Sequence, residues 1–196
     1  MIQTMITANK TISSGTRTAR VERSLARALA VVVFAALTAI GAKLAVPLPG
    51  TAVPLTLQVF AVLLSGIALG PRLGASSQLL YLGAGIAGLP VFMAGGGLAY
   101  LLGPTGGYLL AFPIAAAIVG WAAGRYGGVL PMIAGAVLGV AFIHLSGMSW
   151  LATLGGGSAA AFRVGVLPFL PGDVLKVALA VLVGGRLRAR LRGALG

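Results

Sequence analysis

The stretch Leu25–Val46 reads LARALAVVVFAALTAIGAKLAV, an apolar run interrupted only by Arg27 near its start and Lys43 near its end. About 20 such residues cross the roughly 30 Å hydrocarbon core of a bilayer as a helix. Pro47, Pro49 and Gly50 end the run, because proline lacks an N–H and glycine resists regular structure. Outward from this stretch the same pattern repeats. A second run, Pro54–Gly70, is closed by Pro71-Arg72-Leu73-Gly74, and a third, Ala75–Val91, leads into a glycine-rich connection from Gly95-Gly96-Gly97 to Gly103-Pro104. Thr105–Ala123, Val129–Trp150 and Pro171–Leu187 follow. The parse predicts an all-α membrane protein of six transmembrane helices, some short enough to be tilted or partly re-entrant.

Composition agrees. Of 196 residues, 59% are hydrophobic and 8% charged, with a mean hydropathy of +1.06. A soluble domain needs more polar surface than that, whereas lipid solvates apolar surface. Fourteen Lys and Arg face two acids, Glu22 and Asp173, for a net charge of +12. Such a balance often marks a nucleic-acid binder. Here the bases sit at the ends of apolar runs and in short loops, which is where topology determinants sit, so nucleic acid is set aside.

The charges also orient the chain. With the N-terminus inside, inner segments hold Arg17, Arg20, Arg23 and Arg27, then Arg72, then Arg125, then Arg186, Arg188, Arg190 and Arg192. The outer connections hold only Arg163. This positive-inside asymmetry predicts cytoplasmic N- and C-termini and an even number of spans. Residues 1–23, polar and without an apolar period, read as a disordered cytoplasmic tail; an Arg-rich, acid-poor transit peptide is the alternative. Residues 24–192 form the membrane domain and 193–196 a C-terminal tail. Gly66/Gly70, Gly120/Gly124 and Gly135/Gly139 are small pairs four apart and predict close helix packing. Ala26 and Ala30 make a similar pair that reads as packing or as a docking surface for another membrane protein.

Catalytic chemistry has little to work with. One His, no Cys and one acid beyond the tail make neither a carboxylate pair, nor a Ser–His–Asp triad, nor a metal site. No phosphate loop is present, and no cofactor is implied. The reading is therefore not an enzyme. His144, alone in the fifth run, reads as a hydrogen-bonded packing residue, with a binding role as the alternative. Asp173 reads differently, because an ionisable group at membrane depth is costly without a partner or a water-filled cavity. Lys176 follows three residues later on the same helix face. Pro168, Pro171 and Gly172 place the helix start just before Asp173, where a carboxylate meets the favourable end of the dipole. An acceptor beside a cation suits a small polar ligand carrying N–H donors and an anionic or carbonyl acceptor.

Other candidates gather towards the same outer side. Thr56 and Gln58 open the second run, Phe92 and Tyr100 flank the glycine-rich connection, and Tyr108 begins the fourth run. Gly106-Gly107 beside Tyr108 would permit close backbone approach of a ligand. Tyr81, further down the third run, lines the same cavity or packs. Lys43 reads as snorkelling, and Arg72 and Arg125 as topology anchors.

Several local strings resemble the BioY family of biotin transporters. They are Val53-Pro54-Leu55-Thr56-Leu57-Gln58 with Phe60-Ala61-Val62-Leu63-Leu64; Leu69-Gly70-Pro71-Arg72-Leu73-Gly74; Tyr81-Leu82 with Gly88-Leu89-Pro90-Val91-Phe92; Gly103-Pro104-Thr105-Gly106-Gly107-Tyr108; and Pro168-Phe169-Leu170-Pro171-Gly172-Asp173-Val174-Leu175-Lys176. They run in order over residues 53–176. The resemblance implies the substrate-capture (S) component of an energy-coupling-factor transporter in the cytoplasmic (inner) membrane. It would take up biotin with a membrane coupling protein and with ATPase subunits that alone bind ATP. Some members of that family are thought to act without those subunits, and self-association into a homo-oligomer stays open. Asp173 and Lys176 match the polar pair on that family's last helix, whereas Tyr81-Leu82-Gly83-Ala84-Gly85 lacks a polar residue where some relatives contribute an amide. Two competing readings remain: a stand-alone proton-coupled transporter or channel with Asp173 titrating, and a structural membrane subunit with a buried ion pair.

Overall fold

The computed structural model describes residues 2–125, 128–155 and 157–195, with residues 2–19 described as backbone only. It is all-helical apart from one two-residue ladder. The order is α1 (Ile2–Lys43), β1 (Ala45–Val46), β2 (Leu55–Thr56), α2 (Gln58–Leu69), α3 (Pro71–Ile86), α4 (Leu98–Leu101), α5 (Gly106–Arg125), α6 (Val129–Thr153), α7 (Gly157–Gly165) and α8 (Leu170–Leu195). Among the described residues, three stretches can cross a bilayer by length and composition: Arg20–Lys43 of α1, α5 and α6. The α7–α8 pair, bent by 55°, makes a fourth if taken as one span, and α2 is a shorter apolar helix. The chain is a multi-pass membrane protein. Leu29, Val32, Val137, Leu138, Leu145 and Leu182 are exposed on α1, α6 and α8, as lipid-facing residues should be.

The apolar runs and the helices differ at their ends. The first run stops at Lys43, because Ala45–Val46 pairs antiparallel with Leu55–Thr56; the strands take residues expected to be helical. Pro71-Arg72-Leu73-Gly74, read as a connection, is the first turn of α3. Proline is tolerated at a first helical position, where its missing N–H costs nothing, and Gly70 alone, at φ 82°, makes the corner. Helix α1 starts at Ile2, within the stretch expected to be a disordered tail; no proline occurs before Pro47 to stop it. Helix α8 runs to Leu195, into the expected 193–196 tail, of which Gly196 lies outside the described residues, as does Met1.

Helix α2 is the centre. It packs against α1, α3, α5, α6 and α8 and is buried on nearly every side, the signature of a helix apolar all round. Four of the six glycines in the pairs four apart pack tightly, whereas a Cβ on Gly70 would meet nothing within 4 Å and one on Gly124 only the Arg188 guanidinium at 3.3 Å. A Cβ on Gly66 would meet the Ala116 carbonyl at 2.5 Å, and one on Gly120 would lie 2.5 Å from Gly70 C and Pro71 N. The α2–α3 corner therefore crosses α5 backbone to backbone, and Gly135 and Gly139 of α6 fit in the same way over Ala122 and Val119 of α5. Between α1, α2 and α3, Gln78 is fully buried. Its two amide N–H groups are shared among the Ser65, Ser77 and Thr38 hydroxyls, which lie 3.1–3.2 Å from the nitrogen. In lipid such bonds join helices that the hydrophobic effect does not.

Candidate functional site

Helix α8 begins where Pro171 and Gly172 lead into Asp173, whose backbone N–H donates to Phe169 O at 2.9 Å. One turn on, Lys176 Nζ donates to Asp173 Oδ1 at 3.0 Å. From α6, His144 Nε2 lies 2.6 Å from Asp173 Oδ2. An ionised carboxylate only accepts, so Nε2 carries the proton of that bond. Asp173 is 4% exposed and Lys176 6%. Charges this buried need each other, because either alone would face an uncompensated desolvation cost. His144 Nδ1 has no hydrogen-bond partner among the described residues, and its ring stands edge-on to Tyr108 at 6.3 Å and tilted against Phe169 at 6.1 Å. Sequence reading gives His144 a hydrogen-bonded packing role, or a binding one, but names no partner for it. It sits 29 residues from Asp173 on another helix, and no local spacing could pair them.

The three groups border a narrow cavity of about 50 Å³ that Thr56, Gln58, Tyr100 and Tyr108 also line, with Val53, Met93, Phe112 and Phe169 among its apolar walls. That is room for a few water molecules. The β1–β2 ladder sets Thr56, whose hydroxyl donates to Gln58 Oε1 at 3.1 Å, and Gln58 Nε2 donates to Tyr81 OH at 2.7 Å. Tyr81 and Phe92 stand behind the wall. Tyr81 packs edge-on to Phe92 at 5.4 Å and beside Phe112 at 6.4 Å, and Phe92 stacks on Tyr100 at 5.1 Å. Six of the eight expected site residues thus border one space, and the other two support it. Tyr108 is fixed by its hydroxyl, which donates to Gly165 O at 2.7 Å, and by Gly147, where any Cβ would overlap the ring.

Two expectations about the surroundings change. Gly106-Gly107 meet protein, not open space. A Cβ on Gly106 would overlap Leu101 O, and one on Gly107 would overlap Trp150 and Ser146 O, so these glycines seat α5 against the preceding turn and α6. Lys43 is tied down, donating to Phe92 O at 2.6 Å and Met93 O at 3.3 Å, which clamps the end of α1 to the loop over the cavity. The amide missing from residues 81–85 has a neighbour in Gln78, which the Thr38–Ser65–Ser77 cluster occupies away from the cavity lining. Among the described residues no three His, Cys, Asp or Glu gather as a metal would require.

Known proteins are similar to this chain in sequence and fold. The family model for the BioY family covers residues 11–193. The probable biotin transporter BioY of Pyrococcus horikoshii is 46% identical over 123 residues, 62% of this chain and 72% of the relative. The biotin transporter BioY of Thermotoga maritima is 39% identical over 117 residues, 59% of this chain and 68% of the relative. The crystal structure of the S-component for biotin from an ECF-type ABC transporter superimposes with a TM-score of 0.79 at 27% identity, covering 85% of this chain and 92% of that one. With nearly its whole length matched by the family model and its fold shared with that S-component, the chain belongs to the BioY family.

Proposed function

We propose that this chain captures biotin at the Asp173–Lys176–His144 cluster and is the S component of an energy-coupling-factor transporter. The family is one of transporters, not enzymes. The observation that carries the reading is a paired but unsaturated carboxylate at a cavity inside a BioY-family chain. Lys176 and His144 take one bond on each Asp173 oxygen, which leaves each oxygen one acceptor position. The ureido ring of biotin offers two N–H donors for those positions. Lys176 donates to its carbonyl or to the tail carboxylate, and Thr56, Gln58, Tyr81, Phe92, Tyr100 and Tyr108 complete or back the walls. The cavity is smaller than biotin needs, so the 92–105 segment over it moves aside on entry.

Residues 24–192 form the six-span domain, residues 1–23 a tail outside the bilayer, and residues 193–196 a short cytoplasmic end. Support comes from Arg27, Arg72, Arg188 and Arg192, which share one end of the bundle, while Asp173 lies at the start of α8 near the other. Helices α2 and α3, 12 and 16 residues long, reach only about 18 and 24 Å at 1.5 Å per residue, so flanking segments complete their crossings. The protein resides in the cytoplasmic membrane, takes its energy from a coupling protein and ATPase subunits, and is free to self-associate. The test is retention of labelled biotin by the purified full chain against thiamin and riboflavin. Selective retention is expected; equal or absent retention overturns the reading. Uptake by vesicles holding this chain alone, driven by a pH gradient, would instead make it a stand-alone proton-coupled transporter.

A further inference from the structure

At the end of the bundle away from Asp173, a groove of about 580 Å³ opens between α1, the α2–α3 corner and the end of α8. Arg27, Arg72, Arg188 and Arg192 line it, and its remaining lining is apolar, with Leu69 and Leu191 among the walls. Arg188 is held in place by donating from Nη1 to Ile67 O at 2.7 Å, while its Nε is buried without a partner among the described residues. Arg188 and Arg192 stand one turn apart, a like-charge pair that repels unless an anion lies between or beside them.

The chain cannot supply that anion from its side chains in any balanced number. Its two acids are Glu22 and Asp173. Asp173 is bonded to Lys176 at 3.0 Å and lies 15 positions before Arg188, about 22 Å along the helix. Arg27 donates from Nε to Leu195 O at 2.8 Å, so Glu22 is the one acidic side chain left to face Arg72, Arg188 and Arg192. Topology signals account for arginines at this end, but not for four of them converging from three elements on one groove.

We propose that this groove binds the phosphate of an anionic phospholipid of the surrounding membrane. Guanidinium groups are the preferred partners of phosphate, because their planar forks match its oxygens. Basic pockets between spanning helices recognise such headgroups. The walls select the source. A nucleotide, a sugar phosphate or an acidic peptide has no alkyl chain to cover the leucines, alanine and proline that make up the rest of the lining. A lipid brings one phosphate for the guanidinium groups and acyl chains for the leucines.

The test is retention of labelled phosphatidylglycerol against phosphatidylcholine by the detergent-purified full chain at physiological ionic strength. Three arginines near one headgroup predict a preference of about tenfold or more for the anionic lipid. Arg72→Gln with Arg188→Gln should bring that preference to about twofold or less, Arg72→Lys with Arg188→Lys should keep most of it, and exposed Arg163→Gln on α7 should keep all of it. If the double glutamine variant is not monodisperse, Arg192→Gln, on an exposed residue, serves the same comparison. Equal retention of the two lipids by the unaltered chain overturns the proposal, as does a preference that survives loss of the arginines. Displacement of the lipid by inorganic phosphate at millimolar concentration, or by an oligoglutamate peptide, also overturns it by giving the groove to a soluble anion or a protein segment.

Discussion

At the start of α8 a carboxylate holds an ammonium at 3.0 Å and, from α6, an imidazole at 2.6 Å, and all three groups are almost sealed from solvent. At its other end four guanidinium groups share an open groove with leucines. The same helix carries both, and the two ends handle charge in different ways. The first end balances its charges internally, which keeps a polar cluster tolerable inside an apolar bundle and leaves acceptor capacity for a ligand. The second holds more arginine than acid, since Glu22 is the one other acidic side chain in the sequence, and the proposed lipid phosphate would answer that charge. Binding of a small molecule should therefore depend on the first end and be indifferent to the second.

The sharpest way to break that division is Asp173→Asn. Removing one partner of a buried pair costs about 3–5 kcal/mol, and here the lost group is also the proposed ligand acceptor. Biotin affinity of the purified variant should fall by a hundredfold or more, which is about 2.7 kcal/mol, while membrane insertion persists because the arginines set topology. Part of the loss would be the stranded Lys176 ammonium. Pairing the change with Lys176→Met removes that charge, so the double variant should regain thermal stability without regaining binding. Recovery of biotin affinity in the double variant would show that the cluster is only a structural ion pair.

His144 divides positioning from packing. Its bond to Asp173 is charge-assisted, a class worth about 1.5–3 kcal/mol, so His144→Phe should weaken biotin about tenfold or more. Gln keeps an N–H donor of similar reach, and His144→Gln should stay within about threefold of the unaltered chain, since only the bond and not the ring shape is preserved. Equal losses in the two variants, read by isothermal titration, would assign His144 to packing against Tyr108 and Phe169.

Between the ends, Gly120 tests the frame that keeps them in register. A Cβ there would press on Gly70 and Pro71 backbone, which cannot yield as a flexible side chain would. Gly120→Ala should cost about 1–3 kcal/mol, as overpacking does, seen as a lower melting temperature in detergent. A melting temperature equal to that of the unaltered chain would mean that α2 and α5 can separate freely at this crossing.

How much of this was legible beforehand differs by kind of signal. Apolar runs, prolines and loop arginines are local, and they located the ends of the six longer helices to within about five residues, except that α1 begins 23 residues before its apolar run and α8 ends eight residues after its own. The errors fall where a local rule has two outcomes: Pro71 starts α3 where it was expected to break the chain, and Gly106-Gly107 face Trp150 and Ser146 where ligand access was expected. Asp173 and Lys176 were visible because they are three residues apart on one helix and are rare at membrane depth. His144, Lys43 and Gln78 were not, because each acts through a partner 13–50 residues away, and only the packing of α1, α2, α3 and α6 brings those partners within reach.

The smallest expected effect is the one that most directly tests the separation of the ends. Arg192 is exposed and about 28 Å along α8 from Asp173, at 1.5 Å per residue. That is more than three Debye lengths at physiological salt, where a Debye length is about 8 Å. Its charge is therefore screened from the pocket by solvent at its own end, and no ion pair connects the two clusters among the described residues. Arg192→Gln should leave biotin affinity within about twofold, even as it lowers retention of phosphatidylglycerol. A change beyond that in biotin affinity, with lipid removed and salt held constant, would require a mechanical link through α8. The helix would then be a rigid lever between its charged ends, and the pocket would have to be treated as coupled to whatever occupies the groove.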